Sequence, residues 1–248
     1  MRYVILSDIH ANLEAIDAVT AHAENQAYDA VLVLGDLVGY GADPNAVIKR
    51  VQALNPIAFV RGNHDKVAAG MEKPDSFNMA ARRAVAWTFA ALTPESQSYL
   101  AALPEGPLLV DDEVEICHGA PSDEDKYVFE AVDAARALLE SRRPVCLFGH
   151  THVQVVYELS SDNMLTMSDF DASSGRRLTL EPSSKYLINP GSVGQPRDGD
   201  PRAAYGLLDT DTRELMLFRV AYEVAVAQEK IREAGLPEIL ASRLALGR

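Results

Sequence analysis

Cysteine is scarce in this 248-residue chain. There are two, Cys117 and Cys146, with no C-x-x-C pair, so neither a disulfide framework nor a thiolate-bound structural zinc is in view. Both lie in apolar strand-like runs, VEIC and PVCLF, where a thiol behaves as a small buried hydrophobe. Long apolar runs are missing too; none approaches the roughly 20 residues of a membrane-spanning helix. The opening MRYVILSDIH reads as a strand rather than a secretory leader, because its apolar run is short and an Asp and a His follow at once. A soluble cytoplasmic protein is expected. Positive charge is in deficit, with 23 Lys and Arg against 36 Asp and Glu for a net −13. Phosphate neutralisation needs a basic face, so neither stable nucleic-acid binding nor attachment to an anionic membrane is expected. The acidic surplus serves solubility and is compatible with multivalent cations. No repeat of fixed period and no low-complexity linker interrupts the chain. With 48% hydrophobic residues it has the material for a sizeable core, and residues 1–248 are read as a single domain.

What is present begins with alternation. RYVILS, AVLVLG and IAFVRG are continuous apolar runs of strand length. Between them lie NLEAIDAVTAHAE, with Leu13, Ile16 and Val19 at helical spacing behind an Asn12 cap, and DPNAVIKRVQAL, with Asp43 as cap and Pro44 at the first helical position. Two such β-α-β units predict a parallel sheet covered on both faces. Residues 66–103 are Ala-rich and helical. They predict an excursion over the site whose MAARRAVAW run could be a lid, a core segment or a dimer face, with Met71, Phe77 and Met79 assigned to the core. LLVDDEVEICHG reads as a hairpin turned at Asp111-Asp112, AVDAARALLESR as a helix, and VCLFG as a strand. Beyond residue 150 the pattern predicts short antiparallel strands, with turns at Asp162-Asn163, Ser174-Gly175 and Asp211-Thr212. An amphipathic helix ending near Gly235 and a shorter one follow.

Five of the six histidines fall just after strand-like runs, beside Gly or Asp. The clusters are SDIH (7–10), GD (35–36), GNHD (62–65), HGA (118–120) and GHTH (149–152). His22 sits in mid-helix and is assigned to the surface. Each cluster alone could be a turn, since Gly, Asn and Asp form turns. All five in order at strand ends point elsewhere, because ligands bind outside the carboxyl ends of parallel strands. If those strands are neighbours of one polarity, the clusters converge. The set contains imidazoles, carboxylates and one carboxamide. Such donors suit Mn, Fe, Zn, Ni or Co. There are too many for one ion with an open position, but the number suits two ions sharing a carboxylate. Paired ions about 3.5–4 Å apart recur in displacement at phosphorus.

Asp8 and His10 (D-x-H), Asp36 (G-D), Asn63 and His64 (G-N-H-D), His118 (H-G), and His150 and His152 (G-H-x-H) together resemble the calcineurin-like metallophosphoesterase superfamily. The stretch INPGSVGQPRDGDPRAAY resembles its small bacterial and archaeal phosphodiesterase-like (YfcE-type) branch. The resemblance implies an α/β fold, a four-layer α-β-β-α sandwich of two mixed sheets flanked by helices. It implies two divalent ions, Mn²⁺ foremost. Asp8, His10 and His152 would hold the first and Asn63, His118 and His150 the second, with Asp36 bridging. His64 would be a proton donor to the leaving alkoxide, and Asp65 would fix its tautomer. The implied activity is hydrolysis of phosphodiesters, and also of phosphomonoesters, by direct attack of a metal-bridging hydroxide.

Where protein phosphatases and dinucleoside tetraphosphatases typically read G-D-x-V-D-R-G, this chain reads GDLVGYG, so a phosphate-clamping arginine is absent from that loop. Arg197 and Arg61 are candidate replacements, each with a solvated alternative, and Tyr40 either contacts substrate or packs beneath the loop. Dinucleoside polyphosphate hydrolysis, protein phosphatase activity and a non-catalytic scaffold stand as alternatives. The expected partner is a small phosphate ester, with homo-oligomerisation open.

Overall fold

The computed structural model describes residues 1–169 and 176–248. Strand β1 (Arg2–Leu6) lies between β2 (Ala30–Val33), which runs parallel to it, and β11 (Ala203–Asp209), which runs antiparallel. With β3 (Ala58–Phe59), β12 (Glu214–Val220) and β9 (Arg176–Thr179) they form one six-stranded sheet of order β3-β2-β1-β11-β12-β9. The second sheet has the order β4-β5-β6-β10-β7-β8. Its strands are β4 (Leu108–Leu109), β5 (Val114–Ile116), β6 (Val145–Leu147), β10 (Lys185–Pro190), β7 (Gln154–Leu159) and β8 (Leu165–Asp169).

Alternating side chains decide the layering, since successive residues of a strand face opposite sides. In β1, Tyr3 and Ile5 pack with Leu32, Val114, Ile116, Val145 and Ile188, forming the seam between the two sheets. Val4 and Leu6 face the other way, onto Ile16, Val19, Val47 and Ile48. These belong to helices α1 (Leu13–Ala23) and α2 (Pro44–Ala53). Ala134, Ala137 and Leu138 of α6 (Ala131–Glu140) cover the outer face of the second sheet over Cys146, Tyr157 and Leu187. The result is the expected four-layer α-β-β-α sandwich. Burying each such Leu, Ile or Val contributes about 1.5–3 kcal/mol.

The local signals acted largely as expected. Asn12 caps α1 by accepting from the Ala15 N–H at 3.1 Å. Asp111 closes its hairpin turn by accepting from the Glu113 and Val114 N–H groups, each at 2.8 Å. Cys117 and Cys146 are buried free thiols 3.7 Å apart. Asp43 precedes α2 but makes no side-chain cap, because Lys230 on α7 (Val224–Glu233) takes its carboxylate at 2.8 Å. The helical excursion comprises α3 (Asn63–Ala68), α4 (Met79–Ala91) and α5 (Pro94–Ala101). A last helix, α8 (Glu238–Ser242), precedes a turn of 3-10 helix, Arg243–Leu246.

Four expectations need correction. The strand-end clusters do not share one sheet: β1, β2 and β3 belong to the first, β5 and β6 to the second. Strand β10 is not purely antiparallel, since it runs parallel to β6 and antiparallel to β7. Met71 and Met79 are not core; Met79 is 80% exposed because it opens α4 on the outward side, and Phe77 is only partly buried. His22 is no plain surface residue: its Nδ1 lies 2.8 Å from the Tyr205 hydroxyl, and its ring meets Tyr205 and Phe218 edge-on. The Ser174-Gly175 turn lies outside the described residues. No helix among the described residues is long and apolar enough to cross a membrane.

Candidate metal centre

Each cluster follows a strand, and the face-to-face stacking of the sheets brings the clusters together. Asp8 and His10 follow β1, Asp36 follows β2, Asn63 and His64 open α3 just after β3, His118 follows β5, and His150 and His152 follow β6. Asp8, His10, Asp36, His150 and His152 all hold left-handed backbone, with φ between 49° and 66°. This conformation costs a non-glycine residue roughly 1–3 kcal/mol and persists where surrounding structure imposes it. Hydrogen bonds supply that constraint: Asp8 N–H donates to Gly35 O at 3.1 Å and His10 N–H to Asp36 O at 3.0 Å. Two glycines make room for the carboxylates. A Cβ on Gly62 would fall 2.0 Å from Asp36 Oδ1, and one on Gly149 would fall 2.8 Å from Asp8 Oδ2.

The ring nitrogens have fixed roles. Nδ1 of His10 faces Val38 O at 3.0 Å, Nδ1 of His152 faces Gln195 O at 2.6 Å, and Nδ1 of His118 faces Leu34 O at 2.7 Å. A carbonyl oxygen only accepts, so each Nδ1 carries a proton, and each Nε2 presents a lone pair when its ring is neutral. His150 is reversed: its Nε2 meets Asp125 O at 3.1 Å, leaving Nδ1 as its lone-pair nitrogen. The lone pairs then point at one another. Nε2 of His10 and Nε2 of His152 are 3.1 Å apart. His118 Nε2 lies 3.3 Å from Asn63 Oδ1 and 3.5 Å from Asp36 Oδ2. His10 Nε2 is 3.6 Å from Asp36 Oδ2, and His152 Nε2 is 3.3 Å from Asp8 Oδ1.

Two donor groups result: Asp8, His10, Asp36 and His152, and Asp36, His118 and His150. Within each, one ligand atom per residue lies within 4.8 Å of all the others. Asp36 belongs to both, and Asn63 adjoins the second. Asp36 Oδ2 faces both His10 and His118, while Asp36 Oδ1 accepts from the His64 N–H at 2.9 Å.

Burial of the whole cluster sets its electrostatics. Burial drives His10 and His152 well below the usual imidazole range and brings His150 down to about 3. Burial also raises the Asp8 carboxyl to about 7. For Asp36 burial works in the same upward direction, yet His118, His64 and His10 hold it well below the carboxylate range. Burial opposes charge on His118 as well, but the Asp36 carboxylate beside it lifts it to about 10. The cluster thus favours a positive charge at the point where its acceptors converge. Once the His118 proton is displaced, these buried N and O donors fit a divalent metal.

The remaining candidates divide. His64 is 3% exposed. Its ring packs on Tyr40, Phe77 and His10 with centroids 4.4, 4.6 and 5.0 Å away, and its Nδ1 has no hydrogen-bond partner. Burial lowers it to about 4. Asp65 does not address that ring, which corrects the expectation that it fixes the His64 tautomer. Its Oδ1 accepts from the Leu37 and Val38 N–H groups at 2.9 and 3.3 Å, and its Oδ2 from the Gly62 N–H at 3.0 Å. It ties the loop after β2 to the start of α3. Arg61 is withdrawn from the site, paired with Glu124 and Glu105 at 2.9 Å each. Tyr40 packs between His10 and His64, and Arg197 donates to its hydroxyl at 3.4 Å.

A cleft of about 290 Å³ opens over the centre, lined by Tyr40, Asn63, His64, Phe77, Tyr127 and His150, among others. Tyr127, stacked 3.8 Å from the His150 ring, carried no sequence signal. Asp125 and Gln195 escaped notice because they act through backbone carbonyls, which no residue type announces.

A two-sheet α/β sandwich that gathers buried N and O donors at its strand ends is suited to hold divalent metal. A sequence model of the calcineurin-like phosphoesterase superfamily domain matches residues 1–213, and the chain belongs to that family of metal-dependent phosphoric-ester hydrolases. It is 34% identical over 249 residues to an uncharacterized protein of Methanocaldococcus jannaschii, covering 98% of this chain and 97% of that one. It is 39% identical to a metallophosphoesterase from Sphaerobacter thermophilus, with a TM-score of 0.87 and full coverage of both chains. A hypothetical protein of Pyrococcus horikoshii shares the fold at 19% identity, with a TM-score of 0.80 over 100% of this chain and 98% of that one.

Proposed function

We propose that the protein hydrolyses small phosphodiesters, and phosphomonoesters more slowly, at a pair of divalent ions. The observation that carries this reading is the convergence of lone pairs, His10 Nε2 upon His152 Nε2 at 3.1 Å and His118 Nε2 upon Asn63 and Asp36. Acceptors facing acceptors in a buried site are costly without a cation between them. Asp8, His10 and His152 would hold one ion, Asn63, His118 and His150 the other, and Asp36 both. Such ions, Mn²⁺ foremost, supply an acidified water and charge neutralisation for the phosphoryl oxygens.

The chain's own residues do the rest. Val38, Gln195, Leu34 and Asp125 carbonyls hold the four rings in the tautomers that present lone pairs. His64 borders the cleft and is placed to give a proton to the departing alkoxide. Asp65 positions His64 by holding the first turn of α3 against the loop that carries Asp36. The cleft volume suits a small ester rather than a folded protein.

Metal-stripped protein assayed on aryl phosphodiesters and phosphomonoesters, before and after addition of Mn²⁺, tests the reading. Diester cleavage that appears only with the ion supports it. Cleavage of neither ester with any divalent ion overturns it.

A further inference from the structure

Among the described residues, two guanidinium groups beside the centre have no anionic partner. Arg197 Nη2 donates to Gln195 Oε1 at 3.2 Å, and Arg243 Nη1 donates to the same oxygen at 3.3 Å. Among the described residues neither side chain meets a carboxylate, and the Nε of each is buried without an acceptor. Other partly buried arginines are paired: Arg61 with Glu124, Arg202 with Asp200, Arg213 with Glu113 and Arg219 with Asp198. In a chain of net charge −13, carboxylates are abundant, so their exclusion from this spot is specific. Neutral acceptors, the Gln195 amide oxygen and for Arg197 the Tyr40 hydroxyl as well, do not neutralise two cations, and burial together with Arg197 depresses the Arg243 guanidinium.

Position links the pair to the centre. The Arg197 guanidinium lies 5.7 Å from the centre of the Tyr40 ring, and that ring packs on His10 and His64. Arg243 comes from the C-terminal 3-10 turn, beyond residue 213 where the family match ends.

We propose that Arg197 and Arg243 form an anion site for a second phosphate group of the substrate, next to the phosphoryl group that is cut. The planar donor forks of arginine match phosphate oxygens, and two forks held only by neutral acceptors, the Gln195 amide oxygen and tyrosine hydroxyls, can turn to them together. The substrate class narrows to phosphate esters that carry a further phosphate. The narrowing rests on the phosphoesterase reading above.

Two measurements on the full chain test it. Inorganic phosphate is titrated calorimetrically into metal-free protein, where the arginine variants separate binding at this pair from any contribution of the cationic His118 at the centre. R243Q and R197Q are each expected to weaken this binding about tenfold, with R243K intermediate. Matched circular dichroism spectra confirm that the variants fold. In metal-loaded enzyme, KM is compared for a nucleoside 5′-(p-nitrophenyl phosphate) with and without a 3′-phosphate. R243Q is expected to raise KM for the ester with the extra phosphate about tenfold more than for the other. Phosphate binding unchanged in R243Q, or KM raised equally for both esters, overturns the proposal. The metal-free titration stands even if the loaded enzyme cleaves neither ester, so failure of the hydrolase reading is seen separately.

Discussion

Two polar clusters lie side by side at the mouth of this sandwich, and they are built on opposite plans. In one, Lys66 meets Glu124 at 3.0 Å, Glu72 at 3.1 Å and Asp125 at 2.7 Å, while Arg61 closes on Glu124 and Glu105. Every charge there finds its opposite within the chain. In the other, four imidazoles, two carboxylates and a carboxamide aim lone pairs at shared points, and no Lys or Arg completes an ion pair with Asp8 or Asp36 among the described residues. The contrast shows what a functional site requires. A closed network contributes rigidity, whereas an open one keeps a cost that only a ligand removes. The left-handed backbone at Asp8, His10, Asp36, His150 and His152 belongs to the open cluster, where strain is kept in return for donor geometry.

The largest break in this contrast is Asp36→Asn. It removes the one carboxylate that both donor groups share, and kcat/KM is expected to fall on the order of a thousandfold, ~4 kcal/mol in transition-state stabilisation. Metal analysis should show lost occupancy while circular dichroism shows a retained fold. His64→Ala comes next. Its ring lies outside both donor groups, so both ions should remain while kcat drops about a hundredfold; loss of metal instead would make His64 a ligand.

Changing pH sharpens the same contrast less severely. The Asp8 carboxyl is raised to about 7 by burial, so below that pH its proton must leave before an ion can bind. Displacing that proton should raise divalent-ion affinity about tenfold in all from pH 6 to pH 8, with most of the rise below pH 7 and protons released on binding. Calorimetry in buffers of different ionisation enthalpy measures this, and an affinity flat across that range contradicts it. Lys66→Met breaks the closed cluster and should have the smallest effect. Glu124 keeps Arg61, while Glu72 and Asp125 are about half exposed. The cost should be about 1 kcal/mol, a shift of roughly 2–4 °C in Tm for a chain of this size, with metal content unchanged.

Much of the open cluster was legible in the sequence because its residue types are chemically distinctive and each follows an apolar run. His118, read from the two letters HG, sits as expected at the end of β5. The closed cluster was not legible, since Lys66, Glu124 and Asp125 are ordinary surface letters until packing sets them together. The joining of β1, β2 and β3 to β5 and β6 across two sheets could not be read locally either; it depends on β10 and β11 inserting from late in the chain. Asp65 was misread for a related reason. Adjacency to His64 suggested contact, but the first turn of α3 points its carboxylate back to Gly62 and Leu37. Arg243 carried no motif, and only the packing of the C-terminal turn brings it to Gln195.

The central claim is that the converging lone pairs exist to hold two ions. Metal-stripped protein saturated with Mn²⁺, freed of excess ion and analysed for metal, tests it most directly. Two ions per chain for the wild type, both lost in Asp36→Asn, is the predicted result. One ion or none per wild-type chain would contradict it.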